Sequence, residues 1–166
     1  ATGAVIVNAN SEGMYRPVSI PGAKVLAQTQ VARDVLEADC FINLPVAKDH
    51  SATRVTLGLK NLMGIVWDRQ VWHVQGVHEC IGDFALAVKS HLTIIDATRI
   101  LVTKGPKGPG EVRKPNQIIA AVDPVAADAF ATTLFGLKPN DIGYIMHAHR
   151  MGVGEARLNQ LNITKV

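Results

Sequence analysis

The chain has little of what several function classes require. Its 166 residues hold two cysteines, Cys40 and Cys80, too few to carry an ordinary four-cysteine iron-sulfur cluster. Each lies inside an apolar or helical pattern, which reads as a buried small hydrophobe. Aromatics make up 5% of the residues, and no basic helix face is interleaved with stacking rings, so a nucleic-acid surface is not expected. Lys and Arg number 17 against 14 Asp and Glu, an excess that fits a small anion better than a polynucleotide. No apolar run approaches the ~18 residues of a membrane span. The opening "ATGAVIVNAN" lacks a basic region, a long apolar core and an initiator Met, so no targeting peptide is read there, and the chain is expected to be a fragment or a shortened product. A soluble protein, with the cytoplasm favoured, is the expectation.

What is present is an apolar fraction of 48% with 19% charged residues, enough to bury a core without disulfides or metals. Short β-branched runs alternate with helical patterns at the spacing of βα units. "AVIVN" (Ala4 to Asn8) reads as a first strand, "GAKVLAQ" as a weaker second, "QVARDVLEAD" as a short helix and "CFINLPV" as the clearest buried strand. "HECIGDFALAVKSH" places Ile81, Phe84, Ala85 and Val88 at helical spacing, and "LTIID" and "QIIAAVD" read as strands. "PVAADAFATTLFG" is a helix with proline in its first turn and Gly136 as its stop. "NDIGYIMHAHRMG" reads as a helix capped by Asn140, and "LNITKV" as a closing edge strand. The alternation predicts a single α/β domain over residues 1–166, three-layered, with a mostly parallel or mixed sheet and helices on both faces.

In such sheets ligands sit outside the carboxyl ends of parallel strands, so polar groups just after buried strands are the candidates. "CFINLPV" runs into Lys48, Asp49 and His50; "LTIID" ends at Asp96; "QIIAAVD" ends at Asp123, with Asp128 one turn into the next helix. If the strands are parallel, these groups share one rim. Local roles compete: Asp123 before Pro124 is a good N-cap, Asp128 can serve an ion pair or the helix dipole, and Asp96 can open a turn. His50, beside Lys48 and Asp49, suits a proton shuttle or an anion contact. His78 heads a predicted helix, where its ring can point into a crevice. His147 and His149 diverge by about 200° on a helix and read as surface residues, not a metal pair. In "KGPKGPG" the backbone of Gly105 and Gly108 and two ammonium groups can form an anion-binding nest, or simply a solvated crossover. Neither GxxxxGK[ST] nor GxGxxG occurs, so no nucleotide motif is supported.

The stretch "VTLGLKNLMG" interrupts an apolar run with a Lys-Asn pair. Read as a helix, it places Leu59, Leu62, Met63 and Val66 on one stripe and turns Lys60 and Asn61 away from it. Gly58 and Gly64 each cost a helix about 1 kcal/mol relative to alanine, which predicts close backbone approach or a helix end. A short helix lying over a cleft fits that pattern.

Together, "INLPVAKDHSATRVTLGLKNLMGIV", "LTIIDATRILVTKGPKGPG", "IIAAVDPVAADAFATTLFGL" and "HRMGVGE" resemble the family known as domain of unknown function 362. Its members are similar in having an INxPxxKxH stretch, a TxxxKNxxG element, a strand ending in Asp before a Gly/Pro loop, and a DPVAxDA helix start. The resemblance runs from Asp39 to Glu155. It implies bacterial or archaeal relatives, frequent company of ferredoxin-like iron-sulfur modules, and no agreed reaction. The matching positions are Lys48, His50, Lys60, Asn61, His78, Asp96, Gly105, Pro106, Gly108, Asp123 and Asp128. The chain departs from the family in lacking any cysteine-rich cluster motif, so no iron-sulfur role is supported for it, and in a shortened amino-terminal portion.

The expectation is therefore an enzyme acting on a small anionic metabolite in a crevice at the strand ends. Lys48, Lys60, Asn61, His78, Gly105 and Gly108 would bind the substrate, and His50 with Asp96 or Asp123 would do acid-base work. A divalent metal such as Mg²⁺ or Mn²⁺, held by Asp96, Asp123 and Asp128, is a variant of this idea. The alternative is a non-catalytic accessory module that docks a ferredoxin-like or other electron-transfer partner.

Overall fold

The computed structural model describes residues 3–166; of the opening stretch read for a targeting peptide, residues 1 and 2 lie outside the described residues. In chain order the elements are β1 (Tyr15–Ser19), β2 (Gln28–Ala32), α1 (Arg33–Glu37), β3 (Ile42–Asn43), β4 (Val46–His50), β5 (Arg54–Thr56), α2 (Gly58–Asn61), α3 (Val71–Gln75), α4 (Val77–Ala87), β6 (Leu92–Leu101), β7 (Val112–Arg113), β8 (Gln117–Ala121), α5 (Pro124–Thr132) and α6 (Gly143–Arg150). β1 and β2 form a separate antiparallel ribbon with Tyr15 opposite Ala32.

The long strand β6 is the spine of the main sheet. β3 and β4 run parallel along one side of it, and β7 and β8 run antiparallel along the other. β3 and β4 are one line interrupted at Leu44-Pro45, because proline has no amide to give the ladder; the Pro45 carbonyl still accepts the Asp96 amide at 2.8 Å. β5 adds antiparallel to β4. The sheet is thus mixed, and the α/β class is as expected.

Thr93, Ile95 and Ala97 on β6 are buried and face the helical layer, where Leu59, Leu62, Met63 and Val66 form the expected stripe, all buried. Trp72 and Phe84 pack with ring centroids 5.3 Å apart, and each fully buried side chain of this size contributes about 1.5–3 kcal/mol of burial. The opposite face of the sheet presents Leu44 (66% exposed), Val46 and Ile118 (67%) to solvent, so the three-layer arrangement is incomplete among the described residues.

Several expected elements differ. Val5, Ile6 and Val7 are exposed and outside any strand; β-branched composition favours extended backbone, but a strand needs a partner to complete its ladder. Residues 22–27 turn between β1 and β2 and form no strand of their own, with only Gln28 of the predicted second strand entering β2, and the predicted helix over 30–39 shrinks to α1 because its first residues pair in β2. α6 starts at Gly143, with Asn140 inside a preceding 3-10 turn, Pro139–Asp141, and no cap. "LNITKV" forms no strand. Cys80 is buried as expected, whereas Cys40 is exposed.

Candidate functional site

The site is built around α2, a four-residue helix continued by a 3-10 turn over Leu62–Ile65. So short a helix is not stable by itself and must be held from outside. Asp128, fully buried on α5, does this: Oδ1 accepts the Gly58 amide at 2.7 Å and Oδ2 the Leu59 amide at 2.9 Å. Gly58 is required for that approach, since a Cβ there would stand 2.8 Å from both Asp128 Oδ1 and Thr93 Cγ2. Gly64 has open space around it, so close packing explains only the first of the two glycines. Asn43 donates to the Gly58 carbonyl at 2.9 Å, and Asn61 donates to Asn43 Oδ1 at 2.8 Å. The amide of Asn61 is thereby committed to tying α2 to β3. Burial pushes the Asp128 carboxyl up to about 7; the Leu59 and Gly58 amides oppose that rise and the Asp123 carboxylate adds to it.

This scaffold presents Lys60 to the end of β4. Lys48 lies directly opposite Thr56 in the β4–β5 ribbon, so their side chains share a face, and His50, two residues on, shares it as well. Burial, then Lys48 and Arg69, hold the Lys60 ammonium below its ordinary value. Burial, then Lys60, His73 and Lys48, likewise lower His50, with Asp49 pulling the other way. Asp49 is the single carboxylate in that set, and its Oδ2 is taken by the Gly105 amide at 2.7 Å. The cations of this group therefore outnumber its one carboxylate. Beside it, Thr56 Oγ1 is the one buried side-chain nitrogen or oxygen without a hydrogen-bond partner among the described residues.

The other predicted site residues lie elsewhere. β6 does not end at Asp96 but runs on to Leu101. Asp96 sits in mid-strand on the open face, accepting from the Thr98 amide at 2.8 Å and the Thr98 hydroxyl at 2.7 Å, and these two bonds, amide first, hold its carboxyl low. β8 is antiparallel to β6, with Thr93 opposite Ala121, which puts Asp123 at the amino-terminal end of β6, far along the sheet from Lys48 opposite Leu101. The shared rim depended on parallel strands, and this reversal removes it. Asp123 is the N-cap of α5, accepting from Val125 and Ala126 at 2.8 and 3.0 Å, and its other oxygen takes the Glu155 amide at 2.8 Å. The three carboxylates read as a metal set therefore do not converge, and among the described residues no three His, Cys, Asp or Glu are grouped to hold an ion.

His78 accepts the Tyr144 amide through Nδ1 at 3.1 Å and stacks on the Tyr144 ring, so it fastens the start of α6. In the Gly/Pro loop the Gly105 amide is bound by Asp49 and the Gly108 amide by the Lys104 carbonyl at 2.9 Å. Neither glycine amide is left for an outside anion.

Sequence reasoning missed Asp83. This carboxylate is fully buried on the apolar face of α4; Oδ2 accepts the amides of Lys24, Val25 and Leu26 at 2.9, 2.7 and 3.0 Å, and Oδ1 lies 2.8 Å from His147 Nε2. His147 is accordingly buried and not a surface residue; His149 is half-buried against the Gly154 carbonyl at 2.9 Å. An acid among Cys80, Ile81 and Phe84 was the available signal, since a carboxylate on an apolar stripe needs buried donors. Thr56 was also visible, as the threonine of TxxxKNxxG, but nothing local marks its hydroxyl as unpaired.

Residues 1–133 match the family described as Domain of unknown function (DUF362), and the chain belongs to that family. It is 28% identical over 132 residues to a protein of Synechocystis sp. named as thylakoid-associated, an alignment that covers 75% of this chain and 41% of that protein. The chain thus spans about two-fifths of the length of this curated relative. No solved structure matches it. Among the described residues no helix is long and apolar enough to cross a membrane.

Proposed function

We propose that the chain supplies the anion-binding wall of an enzyme acting on a small anionic metabolite. The observation that carries this reading is the group Lys48, His50 and Lys60, in which Lys48 lowers the proton affinity of Lys60 and both lysines lower that of His50, while the neighbouring carboxylate is bound to Gly105. Gathering like charges in a half-buried place costs free energy, and a bound anion returns it. Lys60 and Lys48 would hold the ligand. His50, kept neutral by burial and by those cations, accepts the Ala52 amide through Nδ1 at 3.1 Å, which leaves its Nε2–H to donate to the ligand. Asn61 positions α2. Asp96 and Asp123 take no part in this arrangement, and the divalent-metal variant, which needs them together, draws no support from their placement.

A thermal-shift screen with small phosphates and carboxylates tests the reading. Stabilisation of the wild type that disappears in Lys60→Ala and Lys48→Ala is the expected result; stabilisation that persists unchanged in both would end it, because a ligand bound there must couple to those groups.

A second reading, a non-catalytic module docking a protein partner such as a ferredoxin-like one, has one observation in its favour. Leu44, Val46 and Ile118 form an exposed apolar stretch on the open sheet face, and such patches often mark protein contacts. Under that reading, charge at Leu44→Asp would impair function while Lys60→Ala would not.

A further inference from the structure

Buried hydroxyls are almost always hydrogen-bonded, and an exception calls for a physical reason. Thr56 Oγ1 is such an exception, and it lies where the cations gather: opposite Lys48 across the β4–β5 ribbon and four residues before Lys60. The backbone on either side is fixed. β5 is paired to β4, and α2 is clamped by Asp128 and by the Asn43–Asn61 bridge. The hydroxyl is thus held in place by its surroundings while remaining without a partner of its own. Leaving it so costs stability unless something else supplies the acceptor.

We infer that Thr56 is a binding residue of this cleft, whose hydroxyl donates a hydrogen bond to an oxygen of a doubly charged oxyanion gathered by Lys48 and Lys60. The inference rests on the anion-binding reading above and adds the ligand class and one contact. Two charges are specified because Lys48, Lys60 and Arg69 stand against the one carboxylate Asp49 in this group, an excess of two positive charges. A singly charged ligand would leave one of them uncompensated, whereas a phosphate monoester or a dicarboxylate satisfies both. The hydroxyl then adds a neutral donor at the inner wall, where a further cation would be costly to bury.

The test is calorimetric titration of the full chain at pH 7.5 with inorganic phosphate, succinate and acetate, on wild type, Thr56→Val, Thr56→Ser, Lys48→Ala and Lys60→Ala. Phosphate or succinate is expected to bind the wild type and acetate not. Thr56→Val should weaken that binding about ten- to a hundredfold, the range for a hydrogen bond to a charged group, and Thr56→Ser should restore most of it. Without ligand, the melting temperature of Thr56→Val should equal or exceed that of wild type, since a methyl replaces an unpaired hydroxyl. Thr56→Val binding as tightly as wild type while Lys60→Ala does not would overturn the role of Thr56 and leave the anion cleft standing. Binding of none of the anions, or equal binding by both lysine variants, would overturn the cleft itself. Acetate binding as tightly as phosphate would overturn the doubly charged class. A ligand-free loss of stability in Thr56→Val that Thr56→Ser repairs would show the hydroxyl to be structural and end the inference.

Discussion

Asp83 and Asp128 are both fully buried carboxyls, each accepting backbone amides from a distant segment, yet their protons respond in opposite directions. At Asp83 burial pushes the carboxyl up but is outweighed by the Leu26 amide, the His147 ring and the amides of Val25 and Lys24, so it ends below its ordinary value. At Asp128 two amides do not offset burial, a second carboxylate stands nearby, and the group rises to about 7. Four donors outweigh burial at Asp83, whereas at Asp128 burial and a second carboxylate outweigh two. Asp83 is a closed fastening that joins the β1–β2 ribbon to α4 and α6. Asp128 is a softer joint, and it carries the helix that presents Lys60.

The largest effect should come from breaking the closed fastening. Asp83→Ala leaves three amides and a histidine without their acceptor and should cost about 3–5 kcal/mol, enough to unfold a domain of ordinary stability. Urea unfolding followed by circular dichroism measures it, and a loss under ~1 kcal/mol would place the two carboxyls in one class.

The pH profile comes next and separates them by sign. A folded-state value raised from 3.8 to about 7 means that Asp128 contributes stability fully present below 3.8 and lost as pH rises through 7, at most about 4 kcal/mol by linkage. The lowered Asp83 contributes stability present above its unfolded value of 3.8 and lost as pH falls below it. Wild type should therefore lose stability on both sides, by acid below pH ~4 through Asp83 and more gradually toward neutrality through Asp128.

Asp128→Asn should cost about 1–3 kcal/mol at pH 5, because one carboxamide end can no longer accept an amide. That deficit should shrink by pH 8, where wild type carries the buried charge. A deficit that stays constant between these pH values would show that Asp128 does not change its proton in this window. The smallest effect is expected at the site itself. Lys60→Ala should change ligand-free stability by no more than ~0.5 kcal/mol, since it relieves repulsion from Lys48 and Arg69, while abolishing stabilisation by phosphate. A marked loss of stability without ligand would mean that Lys60 is part of the fold's support and not of its binding surface.

Much of this was legible where the controlling contacts are local. Asp123 before Pro124 reads as a cap from three adjacent residues, and the structure shows that cap. The stripe Leu59, Leu62, Met63 and Val66 follows from helical spacing even though only Gly58–Asn61 is α-helical, because a 3-10 turn keeps the same side inward. The placement of Asp96 was misread because nothing local says that β6 continues five residues beyond it, and the role of Asn61 because its partner Asn43 lies 18 residues away.

The order of side chains along the chain was enough to determine the α/β class, the apolar faces, the family and the closeness of Lys48 and His50, since periodicity and neighbour spacing are properties of the covalent sequence. Only the tertiary structure decided that β8 runs antiparallel and so parts Asp123 from the cations, that Asp128 clamps a helix 70 residues away, and that the hydroxyl of Thr56 stays unpaired. Those outcomes depend on the paths of connecting loops and on which buried groups meet across them, and no local pattern encodes a meeting between segments so far apart.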